Sequence, residues 1–106
     1  MLLQHEITAL KKLSFSSGVL HLYDVYATKN NTYIVTELCD GDLGTLLKKR
    51  KSFSYPEAVD IIKQIISGYL DVFNSGYLHR DIKPANIFYK GNSYKIGDFG
   101  FAIPKK

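Results

Sequence analysis

Hydrophobic residues recur at helical spacing in two stretches of this chain. At the start, Leu3, Ile7 and Leu10 fall on one stripe, which predicts an amphipathic helix. The serine-rich segment 14–18 contains a glycine and is expected to end that helix. The second stretch begins after residue 54 and is considerably longer.

The strongest helical signal covers residues 55–73. Ser54 is a favoured N-cap, Glu57 completes a capping box three residues later, and Pro56 is tolerated in the first turn. Apolar residues then recur every three or four positions, so we expect this face to pack in the core rather than to carry chemistry. These residues are Ala58, Ile61, Ile62, Ile65, Ile66, Tyr69 and Phe73.

Alternating and β-branched segments lie between and after the helices. Residues 19–26 and 32–38 are separated by a turn cluster, and they predict an antiparallel strand pair. A short helix is predicted over residues 43–49. Residues 87–89 and 94–96 flank a polar turn and predict a β-hairpin. The predicted fold class is therefore α+β, in one unit without an internal repeat or linker.

Composition agrees with one small globular domain. The chain has 106 residues, of which 45% are hydrophobic and 23% charged, with a formal net charge of +4. Part of that charge is the basic run 48–51. This run could form a nuclear-import or anion-binding patch, but the solvated end of a helix is the favoured interpretation. A nucleic-acid-binding domain has no other support, because no ordered aromatic platform accompanies the run.

Cysteine content and hydropathy limit the possible compartments. Cys39 is the single cysteine, so an internal disulfide framework and a clustered cysteine zinc site are excluded. No stretch approaches the roughly 20 apolar residues that a membrane span needs. Residues 1–5 carry no basic segment of the kind that begins a secretory signal. We expect an intracellular, cytoplasmic protein without a membrane span.

Two short polar motifs lie on either side of the predicted hairpin. They read His79-Arg80-Asp81-Ile82-Lys83-Pro84-Ala85-Asn86 and Asp98-Phe99-Gly100. A polar loop in which Asp81 and Asn86 only cap turns would not explain both motifs at this spacing. The chain resembles a protein kinase, whose catalytic loop reads H-R-D-x-x-x-x-N and is followed by D-F-G.

The resemblance implies phosphoryl transfer from ATP with Mg²⁺. Asp81 corresponds to the catalytic aspartate that handles the proton of the substrate hydroxyl, and Lys83 places a cation near the transferring group. Asn86 and Asp98 correspond to the oxygen ligands of Mg²⁺ and should face one pocket. A lysine two residues after the catalytic aspartate is typical of serine/threonine kinases. The implied partner is therefore a protein substrate that carries a serine or threonine hydroxyl.

The resemblance also implies a nucleotide site upstream of the motifs. The backbone at Glu37 and Cys39 would meet adenine, and Phe88 belongs to the same cofactor-binding set. Asp42 corresponds to a ribose-contacting acidic residue, but the segment is one glycine short of the usual Gly-Gly-Asp-Leu, which leaves that assignment open. Glu6 corresponds to the helix glutamate that pairs with a lysine of the small-lobe sheet; a solvated surface glutamate is the alternative.

Four apolar or aromatic positions correspond to the column of side chains known in kinases as the regulatory spine. They are Leu10, Leu22, His79 and Phe99. His79 is accordingly expected to be a packing residue rather than a metal ligand. Arg80 beside the catalytic aspartate resembles kinases whose activation loop is docked by phosphorylation.

The matched motifs cover only the middle of a kinase domain. Residues 1–38 correspond to the end of the small lobe and the hinge, and residues 39–106 to the first part of the helical large lobe. The chain contains no G-x-G-x-x-G and no V-A-I-K. We therefore expect a partial kinase fold that is inactive alone, and its oligomeric state is open. The alternative is a non-catalytic, kinase-derived binding module, although the expected decay at Asp81, Asn86 or Asp98 is absent.

Overall fold

A computed structural model describes residues 3–105, with side chains from residue 4 onward. The predicted place of Leu3 on the helix stripe lies outside the described side chains. The helices of the described residues are α1 (Leu3–Lys12), α2 (Leu43–Arg50), α3 (Tyr55–Asn74) and a 3₁₀ turn (Pro84–Asn86). The strands are β1 (Leu22–Ala27), β2 (Thr32–Thr36), β3 (Gly41–Asp42), β4 (Tyr77–Leu78), β5 (Ile87–Lys90), β6 (Ser93–Ile96) and β7 (Ile103–Pro104). The predicted α+β class is confirmed.

The strands form three small antiparallel sheets. β1 pairs with β2, β5 lies between β3 and β6, and β4 pairs with β7. The two predicted strand pairs are therefore present, whereas β3, β4 and β7 were not predicted. These three strands have two residues each, and their partners lie far away in the sequence. Such pairing leaves almost no local pattern from which to predict it.

The first predicted strand begins later than expected. Val19 makes a single parallel bridge with Ile96, and the N–H of Leu20 donates to the Ile96 carbonyl at 2.9 Å. The paired strand starts only at Leu22. The second strand ends at Thr36 instead of residue 38. The segment before β1 thus bonds to β6, and after β2 the Asp40 N–H donates to the Tyr89 carbonyl of β5 at 2.8 Å.

The predicted start of α3 is confirmed in detail. The Ser54 hydroxyl accepts from the Glu57 N–H at 3.3 Å, and a Glu57 carboxylate oxygen accepts from the Ser54 N–H at 3.2 Å. Arg50 adds two hydrogen bonds of 2.8 Å to the same carboxylate. The Arg50 bonds, followed by the Ser54 N–H, lower the pKa of Glu57 to about 2.

None of the helices in residues 3–105 combines the length and the apolar character of a membrane-spanning segment.

The expectation that α3 buries its whole apolar stripe is wrong. Ile61 and Val72 are buried and Ile65 packs partly against the core, because α3 lies on β6 and β4 along that side. The neighbouring face remains open, since the described residues place no element over it. Its exposed members are Ile62 (55%), Ile66 (53%), Leu70 (49%), Tyr69 (38%) and Phe73 (37%).

A compact core fills the space among α1, α3 and the β5–β6 hairpin. Its least exposed large side chains are Leu13, Val19, Val72, His79, Ile87, Ile96 and Phe99. Two of them, His79 and Phe99, belong to the polar motifs found in the sequence. The core therefore extends directly beneath the candidate site and fixes the backbone that carries it.

Two glycines allow the loop after α1 to touch α3. A Cβ atom on Gly68 would lie 2.5 Å from the carbonyl oxygen of Gly18, and one on Gly18 would lie 2.7 Å from the Gly68 Cα. Beside this contact, the Ser16 hydroxyl donates to an Asp71 carboxylate oxygen at 2.6 Å and accepts from the Gly18 N–H at 3.1 Å. The absence of side chains at both positions is what permits this approach.

Gly68→Ala should lower the thermal unfolding midpoint. Alanine alone would favour the helix by about 1 kcal/mol over glycine. The added methyl group, however, meets the backbone of Gly18, which cannot move as a side-chain end can. Ser67→Ala, at the exposed neighbouring position of α3, is the matched control. Equal midpoints for the two variants in a thermal denaturation experiment would contradict the close approach.

Arg50→Gln should raise the pKa of Glu57 from about 2 toward its ordinary value of 4.5. Because the folded-state pKa lies below the unfolded value, this carboxylate contributes stability above pH 4.5 and loses it as the pH falls toward 2. Carboxyl carbon chemical shifts followed by NMR titration measure the pKa. Lys49→Gln removes the same charge from an exposed position and should leave the titration unchanged.

Candidate active site

The β5–β6 hairpin brings the two polar motifs together. Asn86 ends the 3₁₀ turn before β5, and Asp98 follows β6 by two residues. The N–H of Gly97 donates to the Asn86 carbonyl at 2.9 Å, so the backbones of the two motifs lie side by side. The strand pairing that the alternating sequence predicted thus determines the arrangement of the site.

Asn86 orients the carboxylate of Asp81. Its Nδ2 donates to Asp81 Oδ2 at 2.9 Å and to the Asp81 carbonyl at 2.8 Å. Asn86 is only 5% exposed, so these bonds hold the aspartate in a partly buried position. Lys83 Nζ lies 3.7 Å from Asp81 Oδ1 and remains more than half exposed. One carboxylate oxygen is therefore held by an amide, and the other faces an exposed cation.

Asn86 and Asp98 offer oxygen atoms suited to a hard cation. The Asn86 amide nitrogen is engaged twice with Asp81, which leaves its side-chain oxygen for another partner. Asp98 is exposed, and one of its oxygens accepts from the Gly100 N–H at 3.2 Å. Within residues 3–105 no group of three or more His, Cys, Asp or Glu side chains is placed to hold a metal. A divalent ion here would need further oxygens from substrate or water.

Strained backbone marks both motifs. Arg80 has φ 70° and Asp98 has φ 51°, in the left-handed region that ordinary side chains seldom adopt. Arg80 Nε donates to the Phe101 carbonyl at 2.8 Å. The arginine is thus tied to the segment after Asp98. Its expected regulatory role stays a prediction.

His79 is a packing residue and a backbone hydrogen-bonding partner. It is 1% exposed, and its ring meets Phe99 edge-on with centroids 4.8 Å apart. Nε2 lies 2.8 Å from the Gly97 carbonyl, and Nδ1 lies 3.1 Å from the Asp81 N–H. Since a carbonyl only accepts and an amide only donates, the proton sits on Nε2.

Leu10 and Leu22 both contribute to the core that contains Phe99. Leu10 is 4% exposed and belongs to the same core as Phe99, and the partly buried Leu22 packs against that core. The structure therefore brings all four side chains to one region. Their joint role in regulation stays a prediction, whereas the idea of His79 as a metal ligand has no support.

A cleft of about 360 Å³ contains all four residues expected to bind the nucleotide. They are Glu37, Cys39, Asp42 and Phe88, and the remaining lining residues are Leu20, Thr36, Leu38 and Gly41. The chain crosses from β2 to α2 along one wall, and the β5 residue Phe88 lies against the other side. The four residues chosen from the sequence therefore line one cavity. Their contacts with a nucleotide are still a prediction.

Glu37 directs its carboxylate into the protein. Its Oε1 accepts from the His21 N–H at 2.8 Å and lies 3.2 Å from Lys95 Nζ. Burial alone would raise the pKa of Glu37, but the His21 bond and the Lys95 cation outweigh it and hold the pKa below its ordinary value. Burial, followed by the Glu37 charge, raises the pKa of the nearby Cys39 thiol.

Asp42 caps the start of α2. Its oxygens accept from the Thr45 N–H at 3.0 Å and from the Thr45 hydroxyl at 2.9 Å, and these bonds lower the pKa of Asp42. A ribose hydroxyl would have to share these oxygens with Thr45. The ribose assignment, which the sequence left open, stays a prediction.

Glu6 lies on α1, close enough to Asp98 for the two charges to interact. No ion pair among the described residues includes it. Burial, and then the Asp98 charge, raise the pKa of Glu6. Its expected lysine partner is not found within residues 3–105.

Two residues of the site were missed in the sequence. Lys95 is a partly buried cation in a strand, and Gly97 stands directly before Asp98. A Cβ atom on Gly97 would lie 2.5 Å from the Phe88 ring. A lysine between Tyr94 and Ile96, and a glycine at a strand end, were the available signals.

Comparison with known protein sequences identifies the family. The sequence model of the family described as "Protein kinase domain" matches residues 1–105. Calcium-dependent protein kinase 5 of Plasmodium falciparum (isolate 3D7) is 39% identical over 105 residues, which cover 94% of this chain and 18% of that protein. A calcium and calcium/calmodulin-dependent serine/threonine-protein kinase of Lilium longiflorum is 34% identical over 110 residues, covering 95% and 21%.

A probable myosin light chain kinase of Dictyostelium discoideum is 33% identical over 105 residues, which cover 95% of this chain and 34% of that protein. The chain thus spans from 18% to 34% of the length of these three relatives. The family match extends over both motifs, the cleft and all described helices. The resemblance seen in the motifs is confirmed, and the chain belongs to the protein kinase domain family, among relatives of the serine/threonine class.

Proposed function

We propose that this chain supplies the catalytic loop and part of the nucleotide site of a serine/threonine protein kinase. The reaction would transfer the γ-phosphoryl group of ATP to a serine or threonine hydroxyl of a protein. The observation that carries the proposal is the Asp81 carboxylate, held by Asn86 and approached by Lys83 beside the Asp98 turn. The lily relative is a serine/threonine-protein kinase, which supports that class for this chain.

Asp81 is the group that would handle the proton. Because Asn86 engages Oδ2, the other oxygen, Oδ1, is the one left to accept a hydrogen bond from a substrate hydroxyl. The hydroxyl proton would move to Oδ1 while the hydroxyl oxygen bonds to the γ-phosphorus atom. The bond from that phosphorus to the bridging oxygen of ATP would break, and ADP would leave. Lys83, 3.7 Å from Oδ1, would compensate charge on the phosphoryl oxygens. Positioning and charge compensation are the main demands of this reaction.

Asn86 and Asp98 fit the role of Mg²⁺ ligands. The amide oxygen of Asn86 and the exposed carboxylate of Asp98 are the hard donors that this ion prefers. Bound there, Mg²⁺ would neutralise charge on the β- and γ-phosphates. The left-handed backbone at Asp98 supports this assignment, since strain of this kind clusters at functional sites.

The cleft is suited to a flat, partly apolar base. Leu20 and Phe88 supply apolar surface, and residues 37–39 line one wall. The Glu37 carboxylate is engaged by the His21 N–H and Lys95, and the Glu37 N–H donates to the His21 carbonyl, so the carbonyl of Glu37 and the backbone of Cys39 would be the groups that meet a base. The base would therefore be recognised by main-chain atoms.

We also propose that residues 1–106 alone do not catalyse the reaction. Their sequence has neither a G-x-G-x-x-G segment to cover the phosphates nor a V-A-I-K lysine, and no cation pairs with Glu6 among the described residues. Well-oriented reactants can gain roughly 7–11 kcal/mol from positioning alone. Much of that gain is lost if the phosphates are not held. The alternative is a kinase-derived binding module. It predicts the same inactivity of the isolated chain, but it gives Asp81 no catalytic role.

Adenosine should protect Cys39 from alkylation. Cys39 is the single cysteine and lines the cleft, so a bound base would block access to its thiol. The rate is measured by mass spectrometry with a small thiol reagent at fixed pH. Ribose 5-phosphate, which lacks the base, is the control and should not slow the reaction. Equal alkylation rates with and without saturating adenosine would contradict the proposed base site.

Residues 1–105, placed in the matching segment of the Plasmodium falciparum relative, should support phosphoryl transfer. Asp81→Asn in that chimera should lower kcat by about 10²–10⁴-fold, because the proton acceptor is lost. Asp60→Asn, at an exposed position of α3, is the charge-matched control and should retain activity.

The chain alone, assayed with Mg-ATP and a serine/threonine peptide, should not exceed its own Asp81→Asn variant. A chimera insensitive to Asp81→Asn would sink the catalytic assignment and favour the binding-module alternative. Activity of the isolated chain above its variant would instead refute the proposed inactivity.

A further inference from the structure

One ion pair is distinctly less exposed than the others. Lys95 Nζ lies 3.2 Å from Glu37 Oε1, with side chains 16% and 8% exposed. The other two ion pairs within residues 3–105 are much more accessible to water. Coulombic attraction between partly buried charges is screened less than at the surface, and the loss of one partner leaves the other desolvated. Loss of one partner of this pair would therefore leave a charge with little access to water, which is not so for the two more exposed pairs.

The pair joins segments that the backbone does not hold in one sheet. β1 and β2 form their own two-stranded sheet, while β6 belongs to the sheet with β3 and β5. Glu37 follows β2 and exchanges two bonds with His21: its N–H donates to the His21 carbonyl at 2.9 Å, and its Oε1 accepts from the His21 N–H. Lys95 reaches this carboxylate from β6.

The pair lies between the cleft wall and the segment that leads to Asp98. Glu37 and Cys39 belong to the wall of the cleft where the base would bind. Lys95 stands three residues before Asp98, the proposed metal ligand. The side chains of the pair meet behind the wall, and Lys95 is not among the residues that line the cleft. The pair can therefore act on a ligand only through the backbone that it holds.

We propose that Lys95 and Glu37 are a positioning pair for the nucleotide. The pair holds the peptide groups of residues 37–39 at a fixed place relative to the strand that leads to Asp98. This inference rests on the proposed function, since it places the base beside residues 37–39 and the phosphates beside Asp98. Neither side chain touches the nucleotide in this account.

The test compares variants that remove one charge each. Lys95→Met and Glu37→Gln should weaken adenosine binding to the full chain by about tenfold, and Lys95→Arg should restore most of it. Lys90→Met is the matched control: Lys90 is exposed on the adjacent strand β5, and its charge also acts on Glu37 without a close contact. Dissociation constants come from NMR titrations of the isotopically labelled chain.

Two further measurements separate positioning from general stability. Val72→Ala, which opens a cavity on the buried side of α3 and lies outside the cleft lining, should lower the unfolding midpoint without changing the adenosine affinity. The ligand-free amide shifts of Cys39 and Asp98 should both move in Lys95→Met and stay in place in Lys90→Met. Coupled shifts at the two ends of the site are the signature of a shared frame.

The outcomes distinguish the two proposals. If the unmodified chain binds adenosine and Lys95→Met binds it as well as Lys90→Met does, the positioning pair is overturned. If the unmodified chain does not bind adenosine, the proposed base site fails, and the pair is judged on the ligand-free shifts. In that case, shifts at both Cys39 and Asp98 support the pair, and their absence overturns it.

Discussion

A single buried imidazole connects the two motif loops. His79 donates from Nε2 to the Gly97 carbonyl, accepts at Nδ1 from the Asp81 N–H, and packs its ring edge against Phe99. An apolar ring of similar size would leave both backbone groups without this partner, at a cost of about 1–3 kcal/mol each. The relative position of the catalytic loop and the Asp98 turn therefore depends on a side chain that takes no part in the proposed chemistry.

The β5–β6 hairpin and the His79 imidazole together explain why the backbone is strained at two residues of the site. Arg80 and Asp98 both adopt left-handed backbone angles, and each stands next to a residue held in the core, His79 and Phe99 respectively. A strained residue persists when its neighbours leave it no alternative. The tightly packed residues thus fix the backbone, and the exposed residues beside them present polar groups outward. This alternation of anchor and functional group is the local design of the site.

The sequence predicted the features that have a local cause. The capping box at Ser54, the hairpin around residues 91–92 and the motif residues are all where pattern and turn chemistry place them. The sequence overestimated how many apolar residues of α3 are buried. Helical periodicity shows that a face is apolar, but it does not show whether another element covers that face. The inward turn of Glu37 toward Lys95 was also missed, since their contact joins positions 58 residues apart and no local pattern records it.

The contact between Gly97 and Phe88 has a consequence for ligand discrimination. The Phe88 ring occupies the space that a Cβ atom on residue 97 would need, and the same ring forms part of the cleft surface. A methyl group at position 97 would displace the ring or the backbone beside it, and so reshape the cavity without altering a polar group. With alanine at position 97, the cleft would then admit flat groups of a different thickness, although its hydrogen-bonding groups stay the same.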